Sequence, residues 1–271
     1  MKRYQLDLYK EEIINMYLNE KKSCNEISKI INCSLCGVYD ALRRWNINTR
    51  NLSESHKQKN FNEQYFKVID TEAKAYWLGF IYADGYITGK DFGISLSITD
   101  ISHLLKFLKD IEADFLPKSY IGTGYSEVEY CRVLFKSSLI VNDLIDKGVF
   151  YNKSLILKFP TKEQVPDNLI RHFIRGYFDG DGSLVLSKNS INFKICGTKE
   201  FLSGIIDTLN KNCSYKYKNV LYKRHKDEKN NYYLSYGGRL KVIDALSYLY
   251  KDSNVYLDRK KEKYKKLINI K

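Results

Sequence analysis

The chain has 271 residues, of which 44% are hydrophobic, with only 3 prolines and 15 glycines, so it can bury a real core and does not read as disordered. Lys and Arg number 45 against 32 Asp and Glu, a net charge of +13; this suits a phosphate backbone as partner, although solubility alone also favours surface charge. No run approaches the ~20 apolar residues of a membrane span, and the opening segment is broken by Lys and Glu, unlike a secretory leader.

Residues 1–50 read as a small all-helical domain. In "YKEEIINMYLNE", Ile13, Ile14, Tyr17 and Leu18 recur at helical spacing. Ser23 can cap the next helix, "CNEISKII", with Glu26 as its capping-box partner. "NCS" then makes a turn, and Ser34 can cap "LCGVYDALRRW", in which Val38, Leu42 and Trp45 face inward. This is helix–turn–helix spacing. It leaves Ser34 and Tyr39 early in the last helix, suited to base edges, and Arg43 and Arg44 late, suited to phosphates. A plain protein-binding helix would carry the same pattern. Cys33 and Cys36 form a lone CxxC without a second pair, which does not make a zinc site. All six cysteines are expected as reduced thiols of a cytosolic protein. Residues 51–72 are polar and weakly periodic, and read as a linker.

The body is an internal repeat, with halves at 73–160 and 167–271. "AYWLGFIYADGYI" (75–87) matches "HFIRGYFDGDGSL" (172–184): each is an apolar helical segment ending in Gly-x-x-x-small-Asp-Gly. Asp84 and Asp181 stand 97 residues apart. Strand-like hairpins follow, with alternation at Ile94, Leu96 and Ile98 and at Ile191, Phe193 and Ile195, the same separation. Amphipathic helices come next, then a second strand pair, then the helices "LIVNDLIDKGV" and "LKVIDALSYLY". Val141 and Val242 are 101 apart, so the register slips by four, and the charged stretch "KYKNVLYKRHKDEKNNYY" is expected to absorb it. Each half reads helix–two strands–helix–two strands–helix, an α+β fold.

Gly79 with Ala83, and Gly176 with Gly180, make one face of each motif helix nearly flat, so the two helices can pack backbone to backbone. Such packing would carry Asp84 and Asp181 to one end of the crossing, where a divalent cation would relieve their repulsion. Mg²⁺ suits one or two carboxylates plus phosphate oxygens and supports phosphodiester hydrolysis. Asp179 aligns with Tyr82, not with an acid, and is expected as a helix-end or accessory carboxylate. A calcium loop starting at Asp179 fails, because Leu184 and Ser190 stand where Gly and Glu are needed.

"WLGFIYADG" and "IRGYFDGDG" resemble the paired motifs of the LAGLIDADG homing endonucleases in their single-chain, two-motif form, over roughly residues 70–265. The resemblance implies two pseudo-symmetric αββαββα halves with paired motif helices, each laying a saddle of antiparallel strands into a DNA major groove. It implies metal binding by Asp84 and Asp181, with the backbone carbonyls of Ala83 and Gly180, and Mg²⁺-dependent double-strand cleavage leaving 3′ overhangs. Trp77, Leu78, Ile174, Arg175 and Tyr82 depart from the motif, but none replaces an implied ligand. One catalytic basic residue per half is implied: Lys153 or Lys158 in "NKSLILKFP", and Arg259 or Lys260 in "LDRKKEK". DNA contacts are expected from Lys90, Ser95 and Ser97 in the first half. In the second they are expected from Lys188, Asn192 and Lys194, with Lys223 and Arg224 from the inserted stretch. The implied partner is double-stranded DNA, without a membrane. One chain carrying both motifs implies a monomer. A silent DNA-binding regulator and an RNA maturase are the alternatives on this fold. An intein nuclease is not, because the chain neither begins with a splicing Cys or Ser nor ends in His-Asn.

Overall fold

The computed structural model describes residues 3–20, 22–49, 60–122, 128–187, 190–223, 227 and 229–269. The chain divides into two compact units, 1–59 and 60–271.

The first unit holds α1 (Lys10–Leu18), α2 (Cys24–Ile30) and α3 (Leu35–Arg44), after a 3-10 turn over Arg3–Tyr9. Its core is Leu6, Ile13, Met16, Tyr17, Ile27, Ile31, Val38, Ala41 and Leu42. Met16 takes the inward place expected of Leu18, which is exposed. The capping box forms: the Glu26 N–H donates to Ser23 Oγ at 3.2 Å, and the Ser23 N–H to Glu26 Oε2 at 2.8 Å. Ser34 Oγ accepts from the Gly37 N–H at 3.1 Å; such a cap is worth about 1 kcal/mol. Asn32, at φ 56°, turns the chain between α2 and α3.

The second unit starts earlier than the polar composition of 51–72 suggests. Tyr65, Phe66 and Ile69 are buried in the main core with Phe61 packed against it, and the Asn62 N–H donates to the Ile111 carbonyl at 2.8 Å. The linker reading is therefore corrected from residue 60 onward: four apolar side chains at near-helical spacing anchor this stretch. Residues 51–59 lie outside the described residues.

The first half runs α4 (Glu72–Asp84), β1 (Gly85–Thr88), β2 (Asp91–Ser97), α5 (Ile101–Asp110), β3 (Lys118–Ile121), β4 (Glu129–Lys136) and α6 (Ser138–Asp146). The second runs α7 (Ile170–Asp181), β5 (Gly182–Ser187), β6 (Ser190–Gly197), α8 (Lys199–Asn212), β7 (Tyr232–Gly237) and α9 (Arg239–Tyr250), followed by α10 (Asp258–Asn269). Two antiparallel sheets result, ordered β1-β2-β4-β3 and β5-β6-β7. The fold is α+β, in two similar halves.

Strand pairing relocates the four-residue slip. Gly85 pairs with Ile94, but Gly182 pairs with Ile195, so the equivalent of Ile94 is Ile195 and not Ile191. The second half's first hairpin is two residue pairs longer. Beyond it the separation holds at 101, since Ile94 pairs with Val133 and Ile195 with Leu234. The charged stretch absorbs no net insertion. Among its described residues ahead of β7, the only strand-like pairing is a single bridge, Tyr222 with Tyr233.

The motif helices α4 and α7 cross at the centre of the unit. A Cβ at Gly79 would fall 1.9 Å from the Phe173 carbonyl oxygen, and one at Gly176 would fall 1.9 Å from that of Tyr76. The two backbones touch reciprocally, as the small-residue spacing predicts. Arg175, a departure from the motif, is fully buried. It pairs with Glu72 at 2.7 Å and donates to the Leu249 and Val255 carbonyls, both at 2.9 Å, tying α7 to α4 and to the start of the C-terminal segment.

Candidate functional site

Asp84 closes α4 and Asp181 closes α7, so the helix crossing delivers both carboxylates to one end. A Cβ at Gly180 would fall 2.3 Å from Ala83 Cβ and 2.9 Å from Asp84 Oδ2, which shows how tightly the two helix ends converge. Asp84 is half-buried and Asp181 is exposed. Burial, reinforced by the charge of Asp181, pushes the Asp84 carboxyl up to about 6; Lys260, Lys153 and Arg259 oppose the rise. Asp181 is exposed by area, yet the protein around it withdraws enough solvent to raise its carboxyl too, against the pull of Lys153 and Lys260.

Two buried lysines flank the pair with matching geometry. Lys153, in a 3-10 turn that Asn152 enters at φ 52°, donates from Nζ to the Gly85 carbonyl at 2.6 Å and to that of Ala83 at 3.1 Å. Lys260, in the first turn of α10, donates to the Gly182 carbonyl at 2.6 Å, to that of Gly180 at 3.3 Å, and to that of Phe178. Each lysine thus grips the same two backbone positions of its own motif. Burial lowers both ammonium groups, Lys260 to about 8. The structure separates the paired sequence candidates: Lys153 and Lys260 reach the centre. Lys158 is exposed and makes no described bond there. Arg259 instead forms a two-pronged pair with Asp100, Nε at 3.1 Å and Nη2 at 3.0 Å. A cavity of about 270 Å³ beside Asp84 is lined by Gly180, Ser95, Ser97, Asp100, Tyr130 and Arg259.

The donor set fits a hard cation. No cluster of three or more His, Cys, Asp or Glu is present among the described residues. The protein therefore offers two carboxylates and the Ala83 and Gly180 carbonyls, leaving the remaining positions to water or phosphate oxygens, as Mg²⁺ prefers. In each half the lysine's bond to this carbonyl is longer than its bond to the following glycine, and a carbonyl oxygen has a second lone pair.

Asp179 stands in the last turn of α7, but it is a structural carboxylate, not an accessory to the site. It is fully buried and accepts from the Tyr76 hydroxyl at 2.7 Å, the Leu257 N–H at 2.7 Å, and the Tyr250 hydroxyl. It clamps α7, α4 and α9 to the segment that carries Lys260. His103 Nε2 lies 3.0 Å from the same Tyr76 hydroxyl.

Burial lowers the His103 imidazole to about 3, and burial followed by the Arg175 charge lowers that of His172 to about 4. Both are held neutral in the fold, while in the unfolded chain they protonate near their ordinary ~6.5. Acidification through that value therefore weakens the fold, by up to about 1.4 kcal/mol per pH unit for each histidine. Asp84, with its raised value, works in the opposite direction between its ordinary range and about 6, so site-resolved NMR is the cleaner measurement. The imidazole signals of His103 and His172 should stay at neutral positions from pH 8 to 5. A midpoint near 6.5 for either would contradict the burial argument.

Of the expected DNA contacts, Ser34, Tyr39 and Arg43 are exposed on the first unit. Arg44 is partly buried and one of its terminal nitrogens pairs with Asp7 at 2.8 Å, while Trp45 Nε1 donates to the same carboxylate at 3.0 Å. Ser95 and Ser97 stand on the outward face of the first sheet, with Lys90 exposed in its first turn. Asn192 and Lys194 stand on the outward face of the second sheet, where Asn192 accepts from Ser235 Oγ at 2.9 Å and Lys194 lies 5.4 Å over Tyr233. Lys223 lies 5.4 Å over Tyr232. Lys188 and Arg224 lie outside the described residues. Sequence reasoning passed over Arg132, Tyr86, Tyr120 and Tyr130. The alternation in "EYCRVLFK" sets Tyr130 and Arg132 opposite the buried Cys131 and Val133, which was the signal for them.

No family model matches the chain, and no curated protein matches its sequence. Solved structures do match. The I-LtrWI LAGLIDADG homing endonuclease bound to target DNA aligns with a TM-score of 0.50 at 12% identity, covering 77% of this chain and 91% of that one. The chain has the LAGLIDADG fold. The N-terminal LAGLIDADG domain of WhiA aligns with a TM-score of 0.45 at 17% identity, over 78% of this chain and 97% of that one. Full-length WhiA from Thermatoga maritima aligns at 0.46 and 16% identity over 76% of this chain, which spans 64% of the WhiA length.

Proposed function

We propose that the chain is a site-specific double-strand DNA endonuclease that works with Mg²⁺. The observation that carries this reading is the carboxylate pair at the helix ends with one buried lysine per half. A scaffold has no use for two converging acids, one of which, Asp84, is pushed up to about 6, first by burial and then by the charge of Asp181. When bound, Mg²⁺ would supply a hydroxide nucleophile and stabilise the leaving oxygen. Asp84 and Asp181 would hold it. Lys153 and Lys260 would offset phosphate charge from fixed positions, and Arg259 would face the same phosphates from the cavity wall. The basic balance of the chain, +13, and the polar outward sheet faces support duplex DNA as substrate. The first unit, with Tyr39 and Arg43 exposed, would add affinity as a tethered second reader.

A second reading, a DNA-binding regulator without cleavage, is favoured by one observation. The two lysines bond to the Ala83 and Gly180 carbonyls, and their charges act on both carboxylates, so the centre holds cations of its own. One experiment separates the readings. The full chain is incubated with a randomised duplex library and Mg²⁺, and bound and cut ends are sequenced. Cuts clustered at one sequence support the endonuclease; sequence-selective binding with every duplex intact supports the regulator.

A further inference from the structure

Each strand of the first sheet sends a side chain to one outward cluster. Tyr86 comes from β1, Ser95 from β2, Tyr130 and Arg132 from β4, and Tyr120 from β3. Arg132 stands at its centre. Its Nε donates to Ser95 Oγ at 3.0 Å, from the residue it faces in register. Its guanidinium carbon lies 5.3 Å from the Tyr120 ring, 5.4 Å from Tyr130 and 5.9 Å from Tyr86. Tyr120 and Tyr130 stack at 5.3 Å with their planes 16° apart, forming a continuous platform. Tyr86 lies across Gly93, where a Cβ would fall 2.4 Å from its ring, so that glycine keeps the tyrosine flat on the sheet. The cage fixes a long side chain that would otherwise lose much rotamer freedom on binding. With Nε spent on Ser95, the two terminal nitrogens have no hydrogen-bond partner among the described residues and can meet a planar acceptor pair.

The second sheet has no such arginine. In the pairing frame that equates Val133 with Leu234, the counterpart of Arg132 is Tyr233, and there a lysine lies over the ring instead. The cage is a property of one half.

We infer that Arg132 is a specificity-determining residue that reads one guanine, through its O6 and N7, in the half-site bound by the first sheet. The inference rests on the duplex-DNA reading above. Arginine forks match that acceptor pair in the major groove. A caged arginine at mid-sheet, with Lys118 opposite it in the β3–β4 register, is placed for bases, whereas the exposed Lys90 and Lys136 at strand ends suit phosphates.

The test reads binding rather than cutting. Duplexes held by the full chain are recovered from a randomised library in EDTA and again in Mg²⁺, for the wild type and for Arg132→Gln and Arg132→Ala. The wild type should favour guanine at one position in one half-site only. Both variants should lose that preference by about 5- to 140-fold, the worth of one bidentate pair, and keep the other positions. Tyr130→Leu, which weakens the cage but spares the arginine, should lose part of it. Melting curves of each variant check the fold. A wild type without sequence preference would overturn the DNA reading and the inference together. Selective wild-type binding with unchanged base preference in the Arg132 variants would overturn the inference alone, and so would a uniform loss across all sequences with a shallower salt dependence, the mark of a phosphate contact.

Discussion

Gly79→Ala and Gly176→Ala should each cost the second unit more than about 3 kcal/mol, the upper end of ordinary overpacking. The added methyl would meet main-chain oxygen of the opposite helix at 1.9 Å, and the next nearest atoms are also backbone. No rotamer change relieves such a clash. The helices would have to separate by roughly 1.5 Å to restore ordinary contact distance, along a crossing walled by Tyr76, Phe80, Phe173 and Tyr177, all buried. Set against a typical total of about 5–15 kcal/mol, either change should leave a chain that melts far lower or does not fold. Gly237→Ala is the control: a Cβ there meets nothing nearer than 3.7 Å, and the residue is exposed on β7. Its unfolding free energy in urea should match the wild type within about 0.5 kcal/mol. Equal tolerance of all three substitutions would contradict backbone contact at the crossing.

Those glycines were legible because helix packing leaves a spacing in the sequence, as were the capping box and the aspartate pair. Other features left ambiguous traces. A strand pattern repeats every two residues, so a hairpin lengthened by two pairs keeps the same inward and outward alternation. Ile191 and Ile195 are therefore indistinguishable as partners of Ile94 until hydrogen bonds choose. Lys153 and Lys158 are equally basic neighbours of an apolar run. What separates them is the left-handed residue at Asn152, which sends the next side chain inward. Asp179 was underrated for a related reason. Alignment of the halves shows that Tyr82 stands opposite it, but not that Tyr76, Tyr250 and Leu257 would converge on it from three other parts of the chain. Composition marked 60–72 as linker because polar residues outnumber the few aromatics that bury.

Asp84→Asn and Asp181→Asn should each lower cleavage by more than about 100-fold while duplex binding persists, since even the outer partners of a metal ligand are worth about 10–100-fold. The same substitutions should not harm the fold. The Asp84 carboxyl is raised above its ordinary range, to about 6, so its ionised form costs the folded state. That cost is absent below the ordinary carboxylate value and grows as pH rises to about 6. In EDTA at pH 7.5, Asp84→Asn should therefore gain on the order of 1–3 kcal/mol in urea unfolding, and the gain should vanish near pH 4. The more exposed Asp181 should gain less, because solvent screens it. Asp179→Ala is predicted to do the reverse. It strands the buried Tyr250 hydroxyl and the Leu257 N–H, each at about 1–3 kcal/mol, leaves the Tyr76 hydroxyl with His103 alone, and should destabilise the fold before any assay of activity. Gain of stability with loss of cleavage at Asp84, beside loss of stability at Asp179, would distinguish a built reaction centre from a structural carboxylate cluster. If Asp84→Asn instead lowered the urea midpoint, the acid pair would be part of the scaffold and the endonuclease reading would lose its main support.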